Sequence, residues 1–312
     1  MKILIPNSYC FAAIGIIKTL KRLSKFDVYI VGTGEEAPGV ASGSLLVDKY
    51  IKVEHYDCKR QYEDFIDRIV KEYDIDLAFG VLDSDLPIMQ AVAKRNRKLV
   101  FISPSEATVK LFRDKLQASI AISELGINVP EIILDDAYTD IICRKKVSVG
   151  SSGIHCFNVA EQSGYGKEMS FLQKKVSGDE YTVDVMCDKH GSPHIIIPRK
   201  RIEIRNGMSF KTSLIEDVDI INCIKRICKG FVLPGLWNAQ FIKKESDLYF
   251  IELNPRFAGS AIAGIVASFN YLDVYIDHFC ENIEMPPYSE LNKLICWGAV
   301  VTRYYEECVL FK

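Results

Sequence analysis

Two neighbouring stretches decide the reading of this chain: WNAQFI, Trp237–Ile242, and IELNPRF, Ile251–Phe257. Both alternate apolar and polar residues, and a turn at about Glu245–Asp247 joins them into a hairpin. In a strand every second side chain shares a face. Glu252 and Asn254 are therefore expected on one face, with Ile251 and Leu253 turned into a core. Counting back across the turn sets Gln240 opposite Glu252, with β-carbons about 5 Å apart. Three oxygen donors then share one sheet face. Oxygen ligands suit Mg²⁺, which keeps several waters and binds few protein groups plus phosphates. The alternative is a solvent-facing polar strand, with Asn254-Pro255 opening a turn. Asn-Pro-Arg ends the strand, so Arg256 extends beside the three donors. Gly259 and Ser260 then start a helix whose N–H groups can hold an anion.

Three further motifs lie upstream. CRKKVSVGSSGIH, Cys143–His155, ends a strand in basic residues and runs into a Gly/Ser loop at Gly150, Ser151, Ser152 and Gly153. Such a loop lets backbone donors wrap around phosphates that the cations neutralise; a surface hairpin is the plain alternative. FLQKKVSGDEYTVDVM, Phe171–Met186, sets Tyr181, Val183 and Val185 on one face and Thr182 and Asp184 on the other. Glu180 stands at the strand's start, within reach of a ribose hydroxyl or simply facing solvent. IPRKRIEIRNG, Ile197–Gly207, alternates Arg199, Arg201, Glu203 and Arg205 along one face. Guanidiniums in that array suit a phosphate or carboxylate, or else protect an edge strand from aggregation.

The first hundred residues alternate short apolar runs with helical patterns. Strands are expected at Ile3–Ile5, Val28–Val31, Tyr50–Val53, Leu77–Val81 and Leu99–Ile102, and helices at Ala12–Leu23, around Phe65–Val70 and at Pro87–Lys94. This order predicts a parallel sheet with helices on its faces. Asp83 and Asp85 follow the Leu77–Val81 strand, where α/β sheets place ligands; they can bind an amine or cap the next helix. Ser103-Pro104-Ser105 forms a junction, followed by a helix over Ala107–Leu125 that stops at Gly126. From Ile141 onward hairpin signals dominate, with further helices expected over Ile220–Phe231 and Ser260–Phe279.

Several classes are excluded. The turn after the first strand, PNSYCFAAIG, lacks G-x-G-x-x-G, and no Walker A motif occurs, so neither a dinucleotide fold nor a P-loop NTPase fits. A formal net charge of −2 argues against a nucleic-acid partner. The ten cysteines form no C-x-x-C pair, which points to a reducing compartment and away from zinc. No apolar run is long enough to cross a bilayer, and the first residues lack a signal peptide's apolar region. A cytoplasmic protein without a membrane partner is expected, with room for a homodimer.

Taken in this order, the four motifs resemble those of the ATP-grasp superfamily, in its carbamoyl-phosphate-synthase-like and amino-acid-ligase-like branches. The resemblance covers nearly the whole chain. It implies a parallel α/β pre-ATP-grasp domain over residues 1–103. An α+β ATP-grasp domain with antiparallel sheets follows over 104–312, with its small lobe at about 113–172 and its large lobe at about 173–312. It also implies ATP and Mg²⁺ as cofactors, with Mn²⁺ as a substitute metal. The reaction is then a carboxylate–amine, or carboxylate–thiol, ligation of small molecules through an acyl-phosphate. The alternative is a catalytically degenerate ATP-binding sensor or partner subunit.

Site residues follow from the same resemblance. Lys115 matches the first ATP lysine, and Arg144 or Lys145 the second phosphate-binding cation. Gly150–Gly153 match the mobile glycine loop, and Gln173, Lys174 and Val176 the hinge whose backbone reads adenine. Glu180 matches the ribose-binding glutamate. Gln240, Glu252 and Asn254 match the metal ligands, and Arg256 the arginine that stabilises the acyl-phosphate transition state. Arg199 and Arg201 match a basic segment near the γ-phosphate and acceptor. The chain departs from the pattern in having Arg144-Lys145 where Lys-Pro is usual, Lys174 where an acid is common, and a neutral Gln240.

Overall fold

The computed structural model describes residues 1–54, 56, 58–133, 140–148, 169–205 and 207–304, and the backbone of 154–157. Gly150–Gly153, expected to form a glycine loop, and Asn206 lie outside the described residues.

The parallel sheet is where the alternation places it. β1 (Lys2–Ile5) is apolar at every residue after the first, as a strand covered on both faces must be. α1 (Phe11–Leu23) follows it, then β2 (Tyr29–Gly34), β3 (Lys49–Lys52), α2 (Lys59–Glu72), β4 (Leu77–Ala78) and α3 (Asp85–Arg95). The strand order is β3-β2-β1-β4, all parallel. The expected Leu77–Val81 strand is shortened to two residues, and Leu99–Ile102 contributes only a bridge from Val100 to Leu77. One face packs Leu4, Val31, Phe65, Ile66, Met89 and Val92.

The helix expected over Ala107–Leu125 is two helices, α4 (Glu106–Arg113) and α5 (Lys115–Glu124). Asp114 breaks it. Its carboxylate accepts from the N–H groups of Leu116 (3.0 Å) and Gln117 (3.1 Å), the geometry of an N-cap. The Lys115 N–H leaves the helix and donates to the Lys146 carbonyl at 2.8 Å. The break directs Lys115 inward, where it is 8% exposed. Gly126, at φ +72, stops α5 as its lack of a side chain allows.

A small antiparallel sheet follows, from β5 (Ile132–Ile133), β6 (Ile141–Lys145), β7 (Ile154–Phe157) and β8 (Ser170–Lys174), in the order β5-β8-β6-β7. The largest sheet has six strands. β9 (Asp179–Cys187), β10 (Pro193–Arg205) and β11 (Met208–Leu214) precede α6 (Val218–Gly230). β12 (Gly235–Lys244) and β13 (Asp247–Asn254) form the expected hairpin. α7 (Ile262–Val266), α8 (Tyr271–Phe279) and β14 (Val300–Thr302) follow. The order β13-β12-β9-β10-β11-β14 is antiparallel throughout. The helix expected over Ser260–Phe279 is split, and the Asn270 side chain caps α8 by accepting from the Leu272 N–H.

The two faces of this sheet separate core from site. Val183, Val185, Trp237, Ala239, Phe241, Phe250 and Leu253 face α5 and α6 in one core. The opposite face is apolar at one end, where Met186, Ile195 and Ile197 join α7, α8 and the first unit's Ile3, Ile16 and Leu77 in a continuous core. Toward its other end that face is polar. Gln240 pairs with Glu252 as counted from the turn, but the register shifts between Gln240 and Phe241, whose partner is Phe250. Ile251 is the extra residue of a β-bulge. The bulge reverses the alternation, so Phe250 and Leu253 fill the core, whereas Ile251, expected there, is half-buried outside it.

Candidate active site

The polar end of the six-stranded sheet walls a cavity of about 250 Å³. Thr182, Arg201, Asn238, Gln240, Glu252 and Asn254 supply the sheet side. The first unit closes it with the start of α1, Cys10–Ala12, and with Val81 and Leu82; Arg256 and Gly259-Ser260 complete it. A smaller recess of about 60 Å³ lies on the other side of Glu252 and Asn254, lined also by Lys115, Ser148 and Asp83.

Glu252 is the hub. Its Oε1 accepts from Gln240 Nε2 at 2.9 Å and from Asn254 Nδ2 at 3.2 Å. Its Oε2 lies 3.6 Å from Lys115 Nζ and 3.7 Å from Arg144 Nη2. Burial alone would raise its pKa, but Lys115 and Arg144 outweigh burial and hold the carboxyl below the usual carboxylate range. Both cations are fixed more closely by other acceptors. Lys115 Nζ donates to the Ser148 carbonyl at 3.0 Å, and Arg144 Nη1 to Gln173 Oε1 at 3.0 Å and the Ile251 carbonyl at 3.2 Å.

Arg201 is anchored on four sides. It donates to Glu180 Oε2 (2.8 Å), Gln240 Oε1 (3.3 Å), Ser209 Oγ (3.1 Å) and the Gly207 carbonyl (2.6 Å). Arg256 donates through Nε to Asp83 Oδ1 (2.9 Å) and through Nη2 to Asp83 Oδ2 (3.3 Å). Burial lowers the pKa of Arg144 and of Arg201, yet a guanidinium stays charged.

The structure thus brings together Lys115, Arg144, Arg201, Gln240, Glu252, Asn254 and Arg256. Arg144, not Lys145, turns inward: Arg144 is 5% exposed and Lys145 is exposed. Arg199 does not line the cavity. It is fully buried, pairs with both oxygens of Asp184 at 2.6 and 2.8 Å, and donates to Ser260 Oγ, a lining residue, at 3.0 Å. Gln173 is buried against Arg144, whereas Lys174 is exposed and 3.9 Å from the exposed Glu131; Val176 is half-buried just beyond. Glu180 keeps 42% side-chain exposure beside Arg201.

Residues 167–295 match a family model described as "ATP-grasp in the biosynthetic pathway with Ter operon". The carbamoyl phosphate synthase large chain of Clostridium beijerinckii is 24% identical over 276 residues, a match that covers 79% of this chain and 25% of that protein. The chain therefore spans about a quarter of that relative's length. Among solved structures, the biotin carboxylase–β-γ-ATP complex of Campylobacter jejuni superposes with a TM-score of 0.69 at 17% identity, covering 93% of this chain and 73% of that one. The L-amino acid ligase of Bacillus licheniformis also gives 0.69, at 12% identity, covering 94% and 77%. This chain has an ATP-grasp fold.

The donor set of this site fits Mg²⁺ on one condition. Among the described residues no group of three or more His, Cys, Asp or Glu side chains is placed to hold a metal. Gln240, Glu252 and Asn254 offer one carboxylate and two amides, whose nitrogens face Glu252. A half-turn of either amide presents its oxygen instead. One carboxylate and two neutral oxygens suit an ion that brings phosphate and water ligands with it.

One contributor, Asn238, escaped the sequence reading, and Asp83 was placed near a ligand but without its partner. Asn238, 2% exposed, accepts from Asn254 Nδ2 at 3.2 Å and donates to the Arg256 carbonyl at 3.0 Å, so it orients two site residues. Its position two residues before Gln240, on the same strand face, was the available signal. Asp83 follows β4, and its pairing with Arg256 has no local signature. Asp85 does not cap α3. It accepts from the N–H groups of Val81 (3.0 Å) and Leu82 (2.8 Å) and from Asn7 Nδ2 (2.7 Å). Burial pushes its carboxyl up to about 6 despite those donors.

Proposed function

We propose that this chain uses ATP and Mg²⁺ to activate a small-molecule carboxylate and join it to an amine. Glu252 carries the reading: one low-pKa carboxylate stands between two amides and two cations on a cavity wall. Lys115 and Arg144 sit 3.6 and 3.7 Å from Glu252, wide of hydrogen-bonding distance. In that arrangement a phosphate can take up donors that the carboxylate uses only loosely.

In the proposed reaction a carboxylate oxygen attacks the γ-phosphorus of ATP, the bond to the bridging oxygen breaks, and ADP leaves. The amine nitrogen then attacks the acyl carbon, phosphate departs with its bonding pair, and the nitrogen loses a proton. Gln240, Glu252 and Asn254 would hold Mg²⁺, which would supply charge neutralisation at the phosphates. Lys115, and Arg144 rather than Lys145, bind the phosphate oxygens. The backbone of Gln173, Lys174 and Val176 receives the adenine, and Glu180 the ribose. Arg201 and Arg256 face the transferring group, where fixed charges stabilise developing negative charge without reorganising. Arg199 contributes by fixing Ser260 rather than by touching substrate.

The test is phosphate release from Mg·ATP in the presence of mixed carboxylates and amines, with product masses recorded. At least one pair should release phosphate in step with a condensed product. If no pair does so while Mg·ATP still binds, a degenerate nucleotide-binding protein is the better account.

A further inference from the structure

We propose that Asp83 is the positioning residue of Arg256, so that the first unit completes the phosphoryl-transfer site of the second. The proposal rests on the reading of Arg256 given above.

Arg256 lies beyond the end of β13, where no strand neighbour orients its side chain. Its one short bond is to Asp83 Oδ1 at 2.9 Å; the Phe257 carbonyl lies at 3.3 Å and Asn254 Oδ1 at 3.5 Å. Asp83 supplies the fixed point with a two-pronged contact in which both side chains are 13% exposed. Such a fork fixes the guanidinium plane as well as its distance. Nε and one Nη2 hydrogen are consumed there, while Arg256 still lines the cavity.

Asp83 can act as a fixed point because its loop is itself tied. Asp85 gathers the Val81 and Leu82 N–H groups and the Asn7 amide, binding the loop after β4 to the loop after β1. The pair is not needed to dock the two units. Their common core, from Ile3, Ile16 and Leu77 to Phe257, Ala261 and Tyr275, already joins them. A largely desolvated ion pair adds little adhesion to such a core, because desolvation offsets the attraction. Orientation of Arg256 is what the pair adds.

The experiment is a thermal-shift titration with Mg·ADP alone, then with Mg·ADP plus aluminium fluoride, which mimics a phosphoryl group in transfer. Asp83→Asn should leave the apparent affinity for Mg·ADP within twofold of wild type and weaken the fluoride-dependent gain at least tenfold. Asp83→Glu, which keeps the charge, should recover part of that gain. Arg256→Lys should lose it alone, and the double variant Asp83→Asn/Arg256→Lys should be no worse than the weaker single one. The proposal is overturned if Asp83→Asn keeps the full fluoride gain, loses Mg·ADP equally, or adds its loss to that of Arg256→Lys. Should Asp83→Asn not fold, Asp83→Glu with a fluoride loss equal to its Mg·ADP loss overturns it as well. A wild type indifferent to Mg·ADP defeats the nucleotide-site reading and this proposal with it. One that binds Mg·ADP but gains nothing from fluoride defeats only the roles of Arg256 and Asp83.

Discussion

The two ends of the cavity wall are built on opposite plans. At one end a carboxylate, Glu252, stands among cations that lie 3.6 and 3.7 Å away. At the other a cation, Arg256, is gripped by a carboxylate at 2.9 Å. The first end is loose because Lys115 and Arg144 spend their close hydrogen bonds on Ser148, Gln173 and Ile251. Charges so arranged are electrostatically satisfied yet open to an incoming phosphate and metal. The second end is tight because its partner comes from a different unit and is fixed before any ligand arrives. A loose end suits binding; a tight end suits a group that must not reorganise during a reaction.

The largest effect should follow removal of the hub's charge. Glu252→Gln is expected to cut Mg·ATP turnover by about 10²- to 10³-fold, since metal charge stabilisation amounts to several kcal/mol. Turnover near wild type would mean that the metal lies elsewhere. Lys115→Met comes next. Losing a charged donor to phosphate costs about 1.5–3 kcal/mol, so nucleotide affinity measured by calorimetry should weaken about 10- to 100-fold. An unchanged affinity would remove Lys115 from the binding end.

A third prediction sharpens the tight end through pH. Asp85, with its carboxyl pushed up to about 6, binds its proton in the folded state before the unfolded chain does. Folding stability should therefore fall as pH rises from about 4 to about 6, by this group's contribution. The wild type minus Asp85→Asn difference in melting temperature isolates that contribution from other carboxylates. A difference that does not change between pH 4.5 and 7 would contradict the burial assigned to Asp85. The smallest effect belongs to the hinge. Lys174 and Glu131 are both exposed and 3.9 Å apart, and such pairs contribute about 0–1 kcal/mol. Lys174→Ala should cost at most about 1 kcal/mol of stability and shift nucleotide affinity by no more than about twofold. A larger loss of affinity would show that the side chain, not the backbone, meets the nucleotide.

The sequence displayed the loose end more openly than the tight one. The Gln240–Glu252 register was legible because the polar turn after Lys244 fixes the count, and the hairpin holds both partners within a short span. The phase beyond it was not. A bulge at Ile251 is a one-residue insertion that alternation reads as an ordinary strand. The break at Asp114 was equally hidden, since an Asp on a helical pattern looks like a surface residue until Lys115 finds its acceptor on Lys146. Alternation placed Arg199 and Arg201 in one class. Which of them reaches the cavity depends on Asp184 and Ser260 enclosing the former, and that is settled by tertiary packing. The Asp83–Arg256 contact spans 173 residues of sequence, and nothing local to either residue announces it. The parallel sheet, whose central strands β1 and β2 carry apolar runs, was the most legible part, with only its β4 edge overestimated.

The most direct measurement is a thermal melt of wild type and Glu252→Gln with and without Mg·ATP. A ligand bound only by the folded protein raises its stability with concentration. Wild type should be stabilised by several degrees, in a manner that chelation of the metal abolishes, and Glu252→Gln by far less. Equal stabilisation of both proteins, or none in the wild type, would contradict a nucleotide–metal site centred on Glu252.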